Sequence, residues 1–395
     1  MIKELAVALS VMVSSVGASA AMVAVAPTAG AAYAVSVESN LCYQTGRQAC
    51  SDGTSHLFDA YLPVGATQRA PGVILVHGGS FLGGDKTNLS SEGMKLAAAG
   101  MAAFSVNYRL DSATVAGFPM ESQDVMAAIA YVRQHAGRYS VDPARLASFG
   151  TSAGATLAVY SAMKAEQSDP SAQVVADVGW SGGYDFTVGS AGAVDPQQLQ
   201  NVEWYLGCTD PTVPACAATA RTASAISLVQ ASDPPTLLAN STDYQVGCEI
   251  VDPAQAETMA AALRGVGTPV QLDLNNKCAH AQAYGSYEIP RTIAFLEAHL
   301  FVAPTIRSRS ATTFRVGTAT SFTVKSKADP SAVLTESGAL PAGVAFADQG
   351  NGTALLAGAA QTGAEGTYPL VITASNGGVP DGVQSFTLTV APARK

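Results

Sequence analysis

Residues able to do nucleophilic chemistry stand in a telling order along the chain. A serine lies in Gly150-Thr151-Ser152-Ala153-Gly154, acids follow at Asp243 and Glu249, and a histidine comes last at His280. A serine hydroxyl attacks well only beside a base that takes its proton, and that base needs a carboxylate to fix its tautomer. Upstream, His77-Gly78-Gly79-Ser80-Phe81 sets small residues in a row, the kind of backbone whose N–H groups can receive a developing oxyanion. Nucleophile, base, acid and oxyanion donors together would perform acyl transfer through a covalent acyl-serine.

Elements that could position these groups can be read around them. Residues 145–149 read as a short strand and 155–165 as a helix of good helix formers, so Ser152 falls on a tight strand-to-helix turn. Such a turn is strained, and glycines on both sides let strand and helix pass closely. Only His280 and His299 follow Ser152 in the chain. His299 sits inside the predicted helix 290–300, whereas His280 lies in a loop after the predicted strand 270–274, so His280 is the expected base. His77 opens the oxyanion loop and reads as a packing residue; His56 and His135 have no catalytic context. The acid should follow the strand 236–239. Asp243 comes first and is the expected acid, with Glu249 as the alternative; Asp252-Pro253 reads instead as a helix N-cap followed by proline at the first helical position. The expected oxyanion donors are the N–H groups of Gly79, Ser80 and Ala153, with Gly83-Gly84-Asp85 turning the loop back.

Six cysteines, at 42, 50, 208, 216, 248 and 278, suit an oxidising compartment. Proximity pairs Cys42 with Cys50 and Cys208 with Cys216, which leaves Cys248–Cys278 to tie the acid loop to the base loop. No C-x-x-C or H-E-x-x-H run is present, so no metal or cofactor is expected. The net charge of −9 speaks against a nucleic-acid partner. Residues 1–34 read as an export signal: Lys3, an apolar stretch over 5–25 broken by small residues, and Ala32-Tyr33-Ala34 as the cleavage site, with Ala18-Ser19-Ala20 as a second option. A secreted, extracellular or periplasmic protein is therefore expected, with no integral membrane segment once the signal is removed.

Over residues 35–303 strands (72–76, 102–106, 146–149, 174–178, 236–239, 270–274) alternate with helices (92–99, 121–135, 155–165, 254–264, 290–300). That is the signature of a mostly parallel sheet covered on both faces. Residues 185–226 interrupt the alternation as an insertion over the site, with Trp180, Tyr184, Phe186, Trp204 and Tyr205 in or near it. Residues 304–395 change character, with short β-rich runs at 321–325, 343–346, 355–356, 367–374 and 385–390 and turns at Asn351-Gly352 and Asn376-Gly377.

The segment 40–302 resembles the α/β-hydrolase superfamily, close to its hormone-sensitive-lipase and feruloyl-esterase-like branches. The runs that carry the resemblance begin at His77 and Asn107-Tyr108-Arg109, continue through Asp142-Pro143-Ala144-Arg145-Leu146 and the serine turn, and end at Asp233-Pro234-Pro235-Thr236. It implies an α/β-hydrolase fold and hydrolysis of carboxylic esters, small or carbohydrate-linked, without a cofactor. A peptidase on the same fold is the first rival reading. The tail, through Leu340-Pro341-Ala342-Gly343-Val344 and Gly366-Thr367-Tyr368, resembles the immunoglobulin-like repeat of bacterial extracellular proteins. It implies a small β-sandwich that is a candidate for binding a polymer or cell-surface partner. A purely adhesive protein with an inactive hydrolase domain is the second rival.

Overall fold

The computed structural model describes residues 11–12, 32–44, 50, 53–66, 68–187, 196–208, 213–376 and 380–394. The chain divides into two compact units; Ala34–Pro63 and Pro71–Leu300 belong to the first, Phe301–Lys395 to the second. Most of the predicted export signal lies outside the described residues. No helix among those described is long and apolar enough to cross a membrane.

In the first unit the strands are β1 (Val11–Met12), β2 (Ala34–Cys42), β3 (Leu57–Val64), β4 (Ala70–Val76), β5 (Ala102–Val106), β6 (Val141–Thr151), β7 (Ala176–Trp180), β8 (Thr236–Ser241) and β9 (Val270–Asn275). Among the described residues they form one sheet in the order β1-β2-β3-β5-β4-β6-β7-β8-β9. β3 runs antiparallel to β5, while β4–β5, β6–β7, β7–β8 and β8–β9 are parallel pairs. β4, β5, β7 and β8 are buried at every position, the consequence of helices covering both faces. The edge strand β9 is partly or fully exposed at every position except Asn275.

Helices α1 (Ser90–Ala98), α2 (Met120–Gln134), α3 (Ala153–Ser168), α4 (Pro196–Leu206), α5 (Pro214–Ala223), α6 (Pro253–Val266) and α7 (Gly285–Leu300) complete the unit. The boundaries of α6 follow from its ends. The Asp252 side chain accepts from the Ala254 N–H, Pro253 occupies the first position, and Gly267 closes the helix in the left-handed region at φ 85°. α6 packs Met259, Ala260 and Leu263 against Val159, Tyr160 and Met163 of α3 and Leu238 of β8. α7 begins five residues before the predicted helix, so Pro290 lies inside it and not at its start. The insertion 185–226 supplies α4 and α5.

The second unit comprises β10 (Val302–Ile306), β11 (Ala311–Arg315), β12 (Thr320–Asp329), β13 (Val333–Gly338), β14 (Val344–Asp348), β15 (Thr353–Gly358), β16 (Gly366–Ser375) and β17 (Gly382–Ala391). They form two sheets, β10-β12-β15-β14 and β11-β17-β16-β13, antiparallel except for the β11–β17 pair. Period-2 burial is clear where Leu370, Ile372 and Ala374 of β16 and Phe386 and Leu388 of β17 meet Phe314, Val324 and Leu356 in a common core. Gly352, in the predicted Asn351-Gly352 turn, has φ 76°. Gly377 of the second predicted turn lies outside the described residues.

A buried carboxyl on β7 makes the fold sensitive to pH. Asp177 is fully buried; the Ser148 hydroxyl donates to its Oδ1 at 2.6 Å, and among the described residues Oδ2 has no hydrogen-bond partner. Burial raises its pKa from 3.8 to about 7. A carboxyl raised on folding is protonated in the native state over a range where the unfolded chain has already lost the proton. Its contribution is complete below the unfolded value and declines as pH climbs through the folded one. The melting temperature is therefore expected to fall between about pH 4 and pH 7. Burial raises Asp111, Asp233, Glu288 and Glu297 into the same range, so Asp177→Asn should make that decline shallower without abolishing it, as scanning calorimetry across the range would show; an unchanged slope would remove Asp177 from the account.

Candidate active site

Ser152 stands between β6 and α3 with φ 54° and ψ −126°, a conformation that L residues rarely adopt. Its N–H donates to Trp180 O of β7 at 2.7 Å, and its carbonyl accepts from Ala155 at 2.8 Å, so the strain is held from both sides. The flanking glycines leave no room for a side chain. A Cβ on Gly150 would run into the Gly154 backbone, and one on Gly154 would meet the carbonyls of Val76 and His77. The nucleophile turn and the oxyanion loop thus touch through Gly154. They touch again through Gly78, whose Cβ would stand 2.7 Å from Thr151 O and 2.8 Å from Ser152 Cβ.

His280 reaches Ser152: its Nε2 lies 2.8 Å from Ser152 Oγ. On the other side of the ring Nδ1 lies 2.6 Å from Glu249 Oε1. Glu249 is wholly buried. Its Oε1 also accepts the N–H groups of Ile250 and Val251, each at 3.0 Å, and Oε2 accepts the Ser181 hydroxyl at 2.7 Å. A carboxylate with this many donors is fixed in position.

Asp243, the acid expected from chain order, is not brought to His280. Its Oδ1 accepts from the Gln245 side chain at 2.6 Å instead. The reason is a fold-back of the loop after β8. Glu249 N–H donates to Asp243 O and Gln245 N–H to Glu249 O, so the loop closes on itself and its far end faces inward. The Cys248–Cys278 disulfide, with Cα atoms 4.3 Å apart, joins that end to the loop carrying His280, as expected. Cys42–Cys50 is also formed. Cys208–Cys216 is not: both are free thiols. Cys208 follows α4 and Cys216 sits in the first turn of α5, where the two thiols lie side by side without a bond between them. The Cys208 thiol faces the Leu206 carbonyl at 3.7 Å and neighbours Cys216, and burial pushes it up to about 12.

The oxyanion loop is clamped from beneath. Tyr108 stacks on His77 at 4.4 Å between ring centroids and donates to His77 O at 2.8 Å. Burial lowers the pKa of His77, as suits a packed neutral ring. Arg109 holds Asp124 through Nε at 2.8 Å and Nη2 at 2.6 Å, fixing the segment next to the loop. Gly79 and Ser80 have φ of 134° and 55°. Among the described residues, the N–H groups of Gly79, Ser80 and Ala153 enter no hydrogen bond. Ser80 and Ala153 line a small pocket of about 50 Å³ together with Ser152, Phe186, Val202 and Ile250. Of the aromatics singled out in the insertion, Phe186 reaches this pocket, while Tyr205 is core, stacked on Phe81 at 4.0 Å. Trp180 and Tyr184 are buried. Sequence reasoning misses Ser181 and Tyr284; a serine followed by two glycines at the end of β7 is the one available signal for the former.

Sheet order and covering helices place the first unit in the α/β-hydrolase class, and solved structures of that class resemble it. A bifunctional GH43-CE protein of Bacteroides eggerthii superimposes with a TM-score of 0.55 at 20% identity, over 66% of this chain and 37% of that one. This chain therefore spans little more than a third of that relative's length. A bacterial heroin esterase gives a TM-score of 0.52 at 22% identity, covering 66% of this chain and 82% of that chain. A truncated carbohydrate esterase from gut microbiota gives 0.51 at 22%, covering 62% and 89%. Among curated proteins no relative matches the chain. The chain belongs to the BD-FAE family, whose model matches residues 58–263. The second unit matches the He_PIG model of Ig domains over residues 303–391.

Proposed function

We propose that this chain is an exported serine esterase that cleaves carboxylic esters, foremost short acyl groups carried on sugars, through an acyl-serine at Ser152. The observation that carries this reading is the unbroken line from Ser152 Oγ through both ring nitrogens of His280 to Glu249, at 2.8 and 2.6 Å. In the cycle that follows, His280 takes the Ser152 proton as the oxygen attacks the ester carbonyl. The oxyanion is received by the N–H groups of Gly79, Ser80 and Ala153. The alcohol departs with the proton held at Nε2, and His280 then activates water to release the acid. Glu249 offsets the charge of the imidazolium.

Three further observations support the details. A pocket of about 50 Å³ beside Ser152 has room for a short acyl chain. Two of the resembling structures are described as a carbohydrate esterase and a bifunctional GH43-CE protein. Export is the reading of residues 1–34 together with two disulfides, Cys42–Cys50 and Cys248–Cys278. The test is a series of p-nitrophenyl esters from acetate to octanoate, with an acetylated oligosaccharide alongside. Hydrolysis of acetate and butyrate, declining by about tenfold or more at octanoate, is expected as the chain outgrows the pocket. A folded protein that hydrolyses none of them would overturn the reading.

A further inference from the structure

Ser181 follows β7 with φ 55° and is fully buried. Its N–H donates to Ala239 O of β8 at 2.8 Å, which anchors it. Around its hydroxyl lie three groups: Glu249 Oε2 at 2.7 Å, Tyr284 Oη at 2.5 Å, and the Ala281 N–H at 3.2 Å. A serine hydroxyl has one proton to give and two lone pairs to receive. The ionised Glu249 can only accept, so the Ser181 proton goes to Oε2. Tyr284 then has to donate to Ser181, and its other neighbour, Ala239 O, stands farther away at 3.2 Å. Ala281, the residue after His280, fills the remaining lone pair. Every site on the hydroxyl is used, and every proton points the same way.

We infer that Tyr284 and Ser181 form a hydrogen-bond relay behind the acid, Tyr284 donating to Ser181 and Ser181 to Glu249, which His280 meets from the other side with its Nδ1 proton, with Ser181 as a positioning residue for the acid–base pair. The inference rests on the catalytic reading above. Ser181 does two things in this arrangement. It offsets the charge on Oε2, whose one other donor among the described residues, the Ser241 N–H, is 3.5 Å away. It also pins the start of the segment after His280 to the end of β7, so the acid and the base are referred to one point. Successive donors polarise each other in a buried chain, which makes the second link sensitive to the first.

Removing the Ser181 donor leaves a buried carboxylate oxygen poorly compensated, so Glu249 holds the imidazolium proton more tightly. Ser181→Ala is therefore expected to lower kcat by about tenfold with KM within about twofold. It should move the acid limb of the kcat/KM profile upward by about half a pH unit. Tyr284→Phe should act in the same direction but less, and the double variant should be no worse than Ser181→Ala, because both act through one chain. A residue that merely packs would leave the acid limb in place. Thermal melts verify folding, and Tyr284→Phe carries the pH test by itself if Ser181→Ala does not fold. Ser152→Ala is assayed in parallel. Hydrolysis that survives Ser152→Ala removes the catalytic reading and the relay with it. A dead Ser152→Ala beside folded Ser181→Ala and Tyr284→Phe variants with wild-type kcat and acid limb overturns the relay alone.

Discussion

Ser152→Ala is expected to lower kcat for p-nitrophenyl acetate by about 10⁴–10⁶-fold while leaving KM nearly unchanged. The residue touches the reacting carbon only along the reaction coordinate, so its loss falls on the transition state and not on ground-state binding. A residual rate above the uncatalysed reaction is also expected, because the N–H groups of Gly79, Ser80 and Ala153 stay in place. The alanine retains Cβ and therefore the strain of φ 54°, so its melting temperature should stay close to that of the parent. Ser152→Gly separates the two effects. Glycine occupies positive φ freely, so this variant should be equally inactive yet more stable. Stopped assays and melts on the three proteins check both statements. Retention of more than a hundredth of the parent rate in Ser152→Ala would mean that the hydrolysis does not pass through this serine.

Much of this site is legible in the sequence because its signals are local. The serine turn needs glycine on both sides for a reason visible in the packing: Gly150 faces the Gly154 backbone, and Gly154 faces Val76 and His77. The buried strands β4 and β5 announce themselves as largely apolar runs, since both of their faces are covered. His280 is legible from its place in a loop after a strand. What chain order does not supply is the shape of the loop after β8. Counting from the strand reaches Asp243 first, but the loop folds back through hydrogen bonds between Asp243, Gln245 and Glu249. Its inward end is then held by Cys278 and Ser181, both distant in sequence. Ser181 and Tyr284 escape a sequence reading for the same reason, being separated by about a hundred residues and joined only by tertiary packing. Cys208 and Cys216 are neighbours, as their spacing suggests, yet both stand as free thiols.

The acid itself is where substitution should divide two neighbouring carboxylates most sharply. Glu249→Gln is expected to reduce kcat by about 10³–10⁴-fold, whereas Asp243→Asn should stay within about twofold of the parent. Charge is one part of the loss, since a neutral amide does not offset the imidazolium that forms as Ser152 gives up its proton. Hydrogen-bond polarity is the other. Glu249 Oε1 faces three N–H groups, from His280, Ile250 and Val251, so an amide nitrogen there would oppose donors. The glutamine must then turn its NH₂ toward Ser181, which reverses the hydroxyl and turns the tyrosine behind it toward Ala239 O. Asp243 carries no comparable burden. It accepts from the Gln245 side chain within the fold-back, and an asparagine oxygen can take the same bond. Steady-state kinetics of the two variants, each verified as folded, decide the assignment. A collapse of activity in Asp243→Asn with a mild effect in Glu249→Gln would reverse it and would place the working conformation of this loop elsewhere.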